Sequence, residues 1–390
     1  MQTIDSRHRN VVRRLGVLAL LAAMSLAPAT AWGQLAGRPV AQPYFDFPNW
    51  ARFSDCRPDP LAWGYEVFPN YGPVDCAYEP NSVACEVDFV AHRSDTWYAS
   101  ADFAPLTIDY QNDFDIARLG ATGETLLDTG ELRPEFDAGG KFTVGRRVFG
   151  CYRIEGTYLG NYDWQDTVLL TNDDADLSTF LSDFADPPIA GLDGASSVSM
   201  SFQSSFQSAE ANIRYWAEMP PGPFDVSYLV GARYLRIHEQ FNFLGDVPVP
   251  ATLNDSQVNT ENDLYGVQIG IQGATLLSTR WWIDFDLKGG IYNNQTSVAT
   301  SFIQNGVETG GFVERDRTAW VGDLSLVANW QMTPQWTFRI GYQAIFVNGL
   351  ALAPDNTLAN ADLFGTNTAR LDDSGELAYH GPIIGLMWIR

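Results

Sequence analysis

The chain has 390 residues and a formal net charge of −23, with 45% hydrophobic and 13% aromatic residues. So large an acidic excess excludes binding to nucleic acid, or to anionic lipid, through a basic surface. The hydrophobic and aromatic content excludes a wholly disordered chain, because such a chain lacks the apolar side chains needed for a core.

The first segment has the pattern of a secretory signal peptide. Four arginines between positions 7 and 14 precede the apolar run Leu15–Ala27, and the small residues Ala29, Thr30 and Ala31 follow it. We expect residues 1–31 to be removed by cleavage after Ala31. The apolar run is shorter than the ~20 residues of a membrane-spanning helix. Export to the periplasm or beyond is therefore predicted.

Residues 32–82 are rich in proline, glycine and aromatic residues and have no sustained period, which predicts an irregular periplasmic leader. Disulfides are allowed in an exported chain, and one bridge is predicted among Cys56, Cys76 and Cys85, with its connectivity open. The chain has no C-x-x-C motif and only four His. No zinc site, other metal site or cofactor is expected.

From residue 83 to residue 390, apolar and polar residues alternate in successive segments, the period of a β-strand. The segments lie near 83–103, 139–149, 152–162, 209–215, 224–234, 265–272, 281–288, 320–330, 336–346 and 377–389. This even number of alternating strands predicts an all-β fold, an antiparallel transmembrane β-barrel of about 10 strands (10–12) over residues 83–390.

The connections between these segments are of two kinds. Short ones fall at 150–151, 218–223, 275–279 and 332–335; long, polar and acidic ones span roughly 104–131, 163–203, 240–261, 293–316 and 349–376. Short periplasmic turns and long external loops are typical of outer-membrane barrels. An even strand number then places both chain ends in the periplasm.

The apolar strand faces could contact lipid or a dry core. Aromatic residues near the short turns favour lipid, because such residues form girdles at membrane interfaces; they are Trp281, Trp330, Trp336 and Trp388. The alternative is a soluble secreted β-protein in which two sheets pack face to face. The pattern favours the bacterial outer membrane, with membrane lipid and the barrel-assembly machinery as partners; the oligomeric state stays open.

Several segments resemble the family of β-barrel porins among signal-bearing bacterial outer-membrane proteins. They are GGKFTVGRRVFGCYRIEGTYLG, YLVGARYLRIHEQF, NDLYGVQIGIQGA and MTPQWTFRIGYQAIFVNGLALAPDN, spread from residue 139 to residue 356. The resemblance implies an outer-membrane barrel, but no established substrate and no catalytic residues. One departure is the C-terminus, which ends on Arg390 with Trp388 two residues before it, where barrels of this kind usually end on an aromatic residue.

If the polar faces of the strands point inward, the lumen receives charges of both signs. The predicted lumen residues are Arg153, Glu155, Glu210, Arg214, Arg233, Asp284, Asp286, Lys288, Asp323 and Arg339. A charge-selective pore would carry one sign, whereas these balance. The balanced charges favour a lumen filled by paired side chains. A narrow channel is the alternative.

Three further functions depend on particular residues. Catalysis at the external rim would need His238 beside Glu239, because His92 and His380 have no comparable neighbours, and we expect no enzyme. A calcium loop at Asn172, Asp174 and Asp176 lacks the glycine that an EF-hand requires at its sixth position. Surface binding or adhesion through the loops 163–203 and 349–376 stays open as an alternative function.

Overall fold

The computed structural model describes residues 97–110, 114–120, 123–132, 134–149, 152–180, 193–217, 224–248, 251–278, 280–304, 306–361 and 368–390. The predicted signal peptide, the leader and all four cysteines lie outside these residues. No helix in the described ranges is long and apolar enough to cross a membrane.

Antiparallel strands make up most of the described chain. They are β1 (Trp97–Phe103), β2 (Thr107–Tyr110), β3 (Asp115–Leu119), β4 (Thr125–Asp128), β5 (Gly140–Phe149), β6 (Tyr152–Thr171), β7 (Leu177–Thr179), β8 (Ser197–Trp216), β9 (Phe224–Pro248), β10 (Ala251–Leu276), β11 (Trp281–Gln304), β12 (Val307–Gln331), β13 (Trp336–Leu350) and β14 (Gly375–Ile389). Among the described residues, one short helix, α1 (Ala353–Ala359), precedes the last strand, and one 3-10 turn covers Thr129–Glu131.

The large sheet closes into a barrel. Its order is β1-β5-β6-β8-β9-β10-β11-β12-β13-β14-β2, and β1 also pairs with β14. β1 and β2 continue one another along β14 in a single register, since Phe103 pairs with Ile384 and Thr107 with His380. They therefore act as one strand of the wall, and the wall has ten. The predicted antiparallel barrel of about ten strands is confirmed.

A belt of exposed apolar side chains surrounds the half of the wall next to the 332–335 turn, here called the turn half. Ile269 is 70% exposed and Val267 is 66% exposed. Exposure of so many apolar side chains is unfavourable in water but not in lipid. Along β13 the outward apolar residues run from Trp336 to Phe346. That span rises ~25 Å at ~3.3 Å per residue and a tilt of ~40°, the height of a barrel's lipid-facing band. The soluble alternative is therefore wrong.

The strands continue well beyond the belt, and there the two faces of the wall exchange character. In this second half, the loop half, β8 points Met200, Phe202 and Phe206 inward, while Gln203 and Ser205 lie on the outside. The predicted loops 240–261 and 293–316 are consequently wrong in large part, because most of these residues lie in β9 to β12. Their inward side chains include the buried Phe241, Val258 and Phe302, and polar residues predominate on the outward face, although Phe312 is exposed there.

Several segments between strands fold into the loop half of the barrel. A small sheet of order β4-β3-β7 and helix α1, together called the plug, pack on its inner face. Ile116 of β3, Leu177 of β7 and Ala353 of α1 are fully buried in a core shared with Phe241 and Phe243 of β9. Parts of the predicted external loops 104–131, 163–203 and 349–376 therefore form the interior of the protein.

Candidate functional site

The lumen is the candidate site, because the charged residues converge there. All ten sequence-predicted lumen residues belong to inward-facing strand positions; seven of them, Arg153, Glu210, Arg214, Arg233, Asp284, Lys288 and Asp323, are at most 9% exposed. The period of two along each strand is the physical reason, since it sends every second side chain to the same face.

The central cluster joins four strands through Glu210 of β8. Lys288 Nζ lies 3.0 Å from Glu210 Oε2, and Arg233 Nε lies 3.5 Å from Oε1. Arg233 also reaches Asp323 Oδ2 at 3.4 Å. Two cations and two carboxylates thus alternate in one cluster, and each buried charge has a partner of opposite sign.

Neutral side chains complete the hydrogen bonding of this cluster. Gln268 Nε2 donates to Glu210 Oε2 at 2.9 Å and to Asn212 Oδ1 at 2.8 Å, and Asn212 Nδ2 donates to Glu210 Oε2 at 3.1 Å. The sequence analysis did not identify Asn212 or Gln268. Asn212 lies two residues after Glu210 and Gln268 four residues after Leu264, and these even spacings predict that both side chains point into the lumen.

A second cluster is centred on Arg214 of β8. Its Nε lies 2.8 Å from Glu155 Oε1 and its NH2 atom lies 3.4 Å from Asp286 Oδ2. Gln272 accepts a further hydrogen bond at 2.7 Å. The Tyr98 hydroxyl donates to Glu155. Arg214 is therefore held by side chains from several strands across the lumen.

A third group lies on the side of the lumen formed by β1, β5 and β13. Arg339 NH1 lies 3.1 Å from Asp102 Oδ2, and Lys141 Nζ donates to Gln343 at 3.3 Å. Asp102 and Lys141 were missed in the sequence analysis, because their strands were read only for their apolar positions. Both alternate with apolar neighbours, which would have identified them.

An apolar cluster occupies the lumen at the turn end. Trp216, Trp282, Met387 and Ile389 pack together there, and the Arg153 guanidinium lies 4.1 Å from the centroid of the Trp216 ring, a cation–π contact. Asp225 is buried nearby at 2% exposure, and neither of its oxygens has a hydrogen-bond partner among the described residues.

Aromatic rings fill the lumen between the charged clusters and the plug. Tyr162 and Trp164 of β6 stack with centroids 5.0 Å apart, and Tyr379 lies 4.6 Å from Phe206. Trp164 Nε1 donates to the carbonyl oxygen of Leu106 at 2.9 Å. These buried, contacting rings fill the lumen at this level.

One buried carboxyl group lies against the plug, and no cation among the described residues pairs with it. Glu239 of β9 is fully buried; its Oε1 accepts from the Tyr110 hydroxyl at 2.8 Å and its Oε2 from the Ala353 N–H at 2.9 Å. The pKa of Glu239 is raised to about 7, because burial and, to a smaller extent, Asp355 raise it by more than the two hydrogen bonds lower it.

The four predicted interface aromatics lie at the turn end of the wall. Trp281 and Trp330 stack with centroids 5.8 Å apart, and Trp336 pairs with Trp388 in the register of β13 and β14. All four face outward, and the first three are about two-fifths exposed. They lie at the edge of the apolar belt nearest the short turns.

The structure separates the two residues that catalysis at the rim would need. His238 is exposed on the outer face, whereas the adjacent Glu239 points inward. His380 contacts the Tyr342 hydroxyl at 2.6 Å through Nδ1 and Asp109 at 3.3 Å through Nε2, also on the outer surface. His92 lies outside the described residues. Among those described, no group of three or more His, Cys, Asp or Glu could hold a metal ion.

A closed antiparallel wall with an exposed apolar belt and a polar interior defines a transmembrane β-barrel protein. The family model described as "Putative beta barrel porin-7" matches residues 162–370. The chain belongs to this family.

Solved structures similar to the chain are outer-membrane proteins. The outer membrane protease OmpT from Escherichia coli is 9% identical, with a TM-score of 0.47, covering 76% of this chain and 98% of its own. A major outer membrane protein from Thermus thermophilus is 11% identical, with a TM-score of 0.29 and coverages of 76% and 99%. A Pseudomonas aeruginosa FadL homologue is 8% identical, with a TM-score of 0.22 and coverages of 76% and 90%. No curated protein matches the chain.

Proposed function

We propose that this protein is a structural barrel of the bacterial outer membrane whose lumen is closed at rest by its own side chains. The observation that carries the proposal is the filling of the lumen at successive levels. The Trp216 cluster occupies the turn end, the Glu210 and Arg214 clusters follow, and the aromatic rings and the plug occupy the rest.

The charge pattern supports the same role. An aqueous, selective pore exposes charges of one sign to the solute, whereas here Glu210, Arg214 and Arg233 are at most 9% exposed and paired with opposite charges. Barrels of ~8 strands are filled by side chains and those of ~16 hold an aqueous channel, so a ten-stranded wall favours filling. No catalytic role is proposed.

The location follows from the family and the wall. The apolar belt requires lipid around the turn half, and a porin-family chain with the predicted signal peptide would reach the outer membrane through the barrel-assembly machinery. Surface adhesion loses support, because the loops proposed for it contribute to strands β6 and β8 and to the buried helix α1. Membrane fractionation tests the location: release of the protein by a carbonate wash would contradict it.

Single-channel recording in planar bilayers tests the closed lumen. The sample is protein whose folding is verified by a heat-modifiable gel shift, and a general porin recorded in the same bilayers is the control for detection. We expect no sustained conductance steps near neutral or at acid pH. Regular steps from folded protein under these conditions would refute the closed barrel.

A gated porin is the second candidate, and the attachment of the plug favours it. The segment around α1 is joined to the wall by hydrogen bonds of neutral side chains, with Asn262 Oδ1 2.9 Å from the Ala351 nitrogen and Asn294 Nδ2 2.9 Å from the Gly349 carbonyl. Glu239 of β9 contacts the first residue of α1, and Arg317 of β12 is ion-paired with Asp373 in the segment that follows the helix. A plug held in this way can be released without breaking the wall.

A further inference from the structure

Glu239 is the ionisable group placed where the wall meets the plug. It bonds to two segments at once, Tyr110 in the first strand of the wall and Ala353 at the start of α1. Its level lies beyond the apolar belt, because the outward neighbours His238, Gln240 and Ser205 are polar. Water reaches this level from outside the membrane once the plug moves.

Among the described residues, the groups that face Glu239 are neutral or acidic. α1 contributes Asp355, β2 contributes Tyr110 and β14 contributes Tyr379; the cross-strand partners on β8 and β10 are Ser204 and Thr260. A buried carboxylate with only neutral donors and a neighbouring acid costs free energy that a neutral carboxylic acid does not.

Both protonation states can keep the two short contacts. The carboxylate accepts from the Tyr110 hydroxyl and the Ala353 N–H, while the protonated acid can donate to the same tyrosine oxygen and still accept from the N–H. The two hydrogen bonds favour the carboxylate, but the cost of burying its charge is larger.

We propose that Glu239 is a proton-controlled latch: its protonated form holds the helix α1 against the wall, and its ionisation loosens the plug. An effect of the latch on transport rests on the gated-porin candidate. The pH-dependent attachment of the plug does not depend on it. Acid would tighten closure, and a rise in pH would favour opening.

The direction of the pH effect follows from proton linkage. The pKa of Glu239 in the docked plug is about 7, against ~4.3 for an exposed glutamate. A raised pKa means that the docked state binds the proton more tightly, so its stability is complete below pH ~4.3 and is lost as the pH rises through about 7.

Hydrogen exchange of the full folded protein in detergent tests the latch. Protection factors corrected for the intrinsic exchange rate are measured for 353–359, with 281–291 of the lipid-facing wall as the internal control. We expect protection of α1 to fall at least about tenfold between pH 5 and pH 8, with the control segment unchanged. A flat profile for α1 would overturn the proposal.

Three variants make the test specific. E239Q keeps the shape and neutral hydrogen bonding, and we expect α1 to be protected equally at both pH values. Y110F removes a donor to the carboxylate and should move the midpoint to higher pH, whereas D355N removes a like charge and should move it to lower pH. Retained pH dependence in E239Q, or shifts of Y110F and D355N in the same direction, would overturn the latch. The last two variants carry the test if E239Q does not fold.

Conductance at pH 5 and pH 8 separates the latch from the porin. pH-dependent protection of α1 that disappears in E239Q, without channels at either pH, would support the latch and refute the gated porin. Channels that open at pH 8 equally in wild type and E239Q would support a gated porin and refute Glu239 as its latch.

Discussion

The two halves of the barrel wall have the same strands and opposite faces. In the turn half, β9 points Tyr228 and Val230 outward and Arg233 inward. In the loop half, the same strand points His238 and Gln240 outward and Phe241 inward. The alternation continues without interruption, and only the side that is apolar changes.

The surroundings of the wall, and not its backbone, decide which face is apolar. In the turn half the outer face contacts lipid, which allows Ile269 to be 70% exposed. The apolar residues therefore face outward there, and the charged residues face the lumen. Outside the lipid, the outer face must be polar, and the inner face becomes a conventional hydrophobic core with the plug as its other side. One half of the wall therefore buries its apolar side chains against lipid, and the other half buries apolar side chains against the plug.

Glu210→Ala has the largest expected effect and tests the turn half. It leaves Lys288 and Arg233 with Asp323 as their one remaining shared carboxylate, so one buried positive charge is uncompensated, which costs about 3–5 kcal/mol. The free energy of unfolding is measured by urea titration of protein folded in lipid vesicles. Glu308→Ala, an exposed acid at the start of β12, is the control and should change stability by less than ~0.5 kcal/mol. Similar losses from both would show that the cluster is not a structural centre.

Phe243→Ala tests the core of the loop half. The Phe243 ring is fully buried and lies edge-on to Phe180, with centroids 4.8 Å apart. Its truncation should cost about 3–5 kcal/mol through lost burial and the cavity left behind. The adjacent Leu244, 40% exposed on the outer face, provides the matched control, and the cost of Leu244→Ala should stay below ~1 kcal/mol. A reversed order would contradict the exchange of faces.

Ile340→Arg compares the outer faces of the two halves directly. Ile340 is exposed in the belt, where an arginine near the bilayer midplane should cost ~2–4 kcal/mol. Ser205→Arg places the same side chain on the polar outer face of the loop half and should cost less than ~0.5 kcal/mol. The measurement is again unfolding in vesicles. Equal costs would place Ile340 outside the lipid or Ser205 inside it.

The Trp281–Trp330 pair gives the smallest effect and locates the edge of the belt. A double-mutant cycle with Trp281→Ala and Trp330→Ala should give a coupling energy of ~0.5–1.5 kcal/mol, the range for contacting aromatic pairs. The rings stack at an interplanar angle of 12°. Coupling near zero would show that each tryptophan anchors in the interface independently of the other.

The lipid-facing strands were accessible to sequence reasoning, and the loop half was not. Trp336 to Phe346 alternate so regularly that the period alone gives the direction of each side chain, whereas Phe241 and Phe243 fall in the segment 240–261, for which the sequence predicts a loop. A search for apolar residues on either face, independent of which face faces lipid, would have extended β9 to its observed end at Pro248.

By itself, the sequence determined the fold class, the approximate strand number and the inward direction of the charges on β8, β9 and β11, because these depend only on a local period of two. Only the tertiary structure decided which charges meet, that the segment around α1 turns inward, and that Glu239 lies between that helix and Tyr110. Such contacts join residues far apart in the sequence, 78 positions for Glu210 and Lys288 and 114 for Glu239 and Ala353. Their pairing is set by closure of the barrel, and a local pattern does not contain that information.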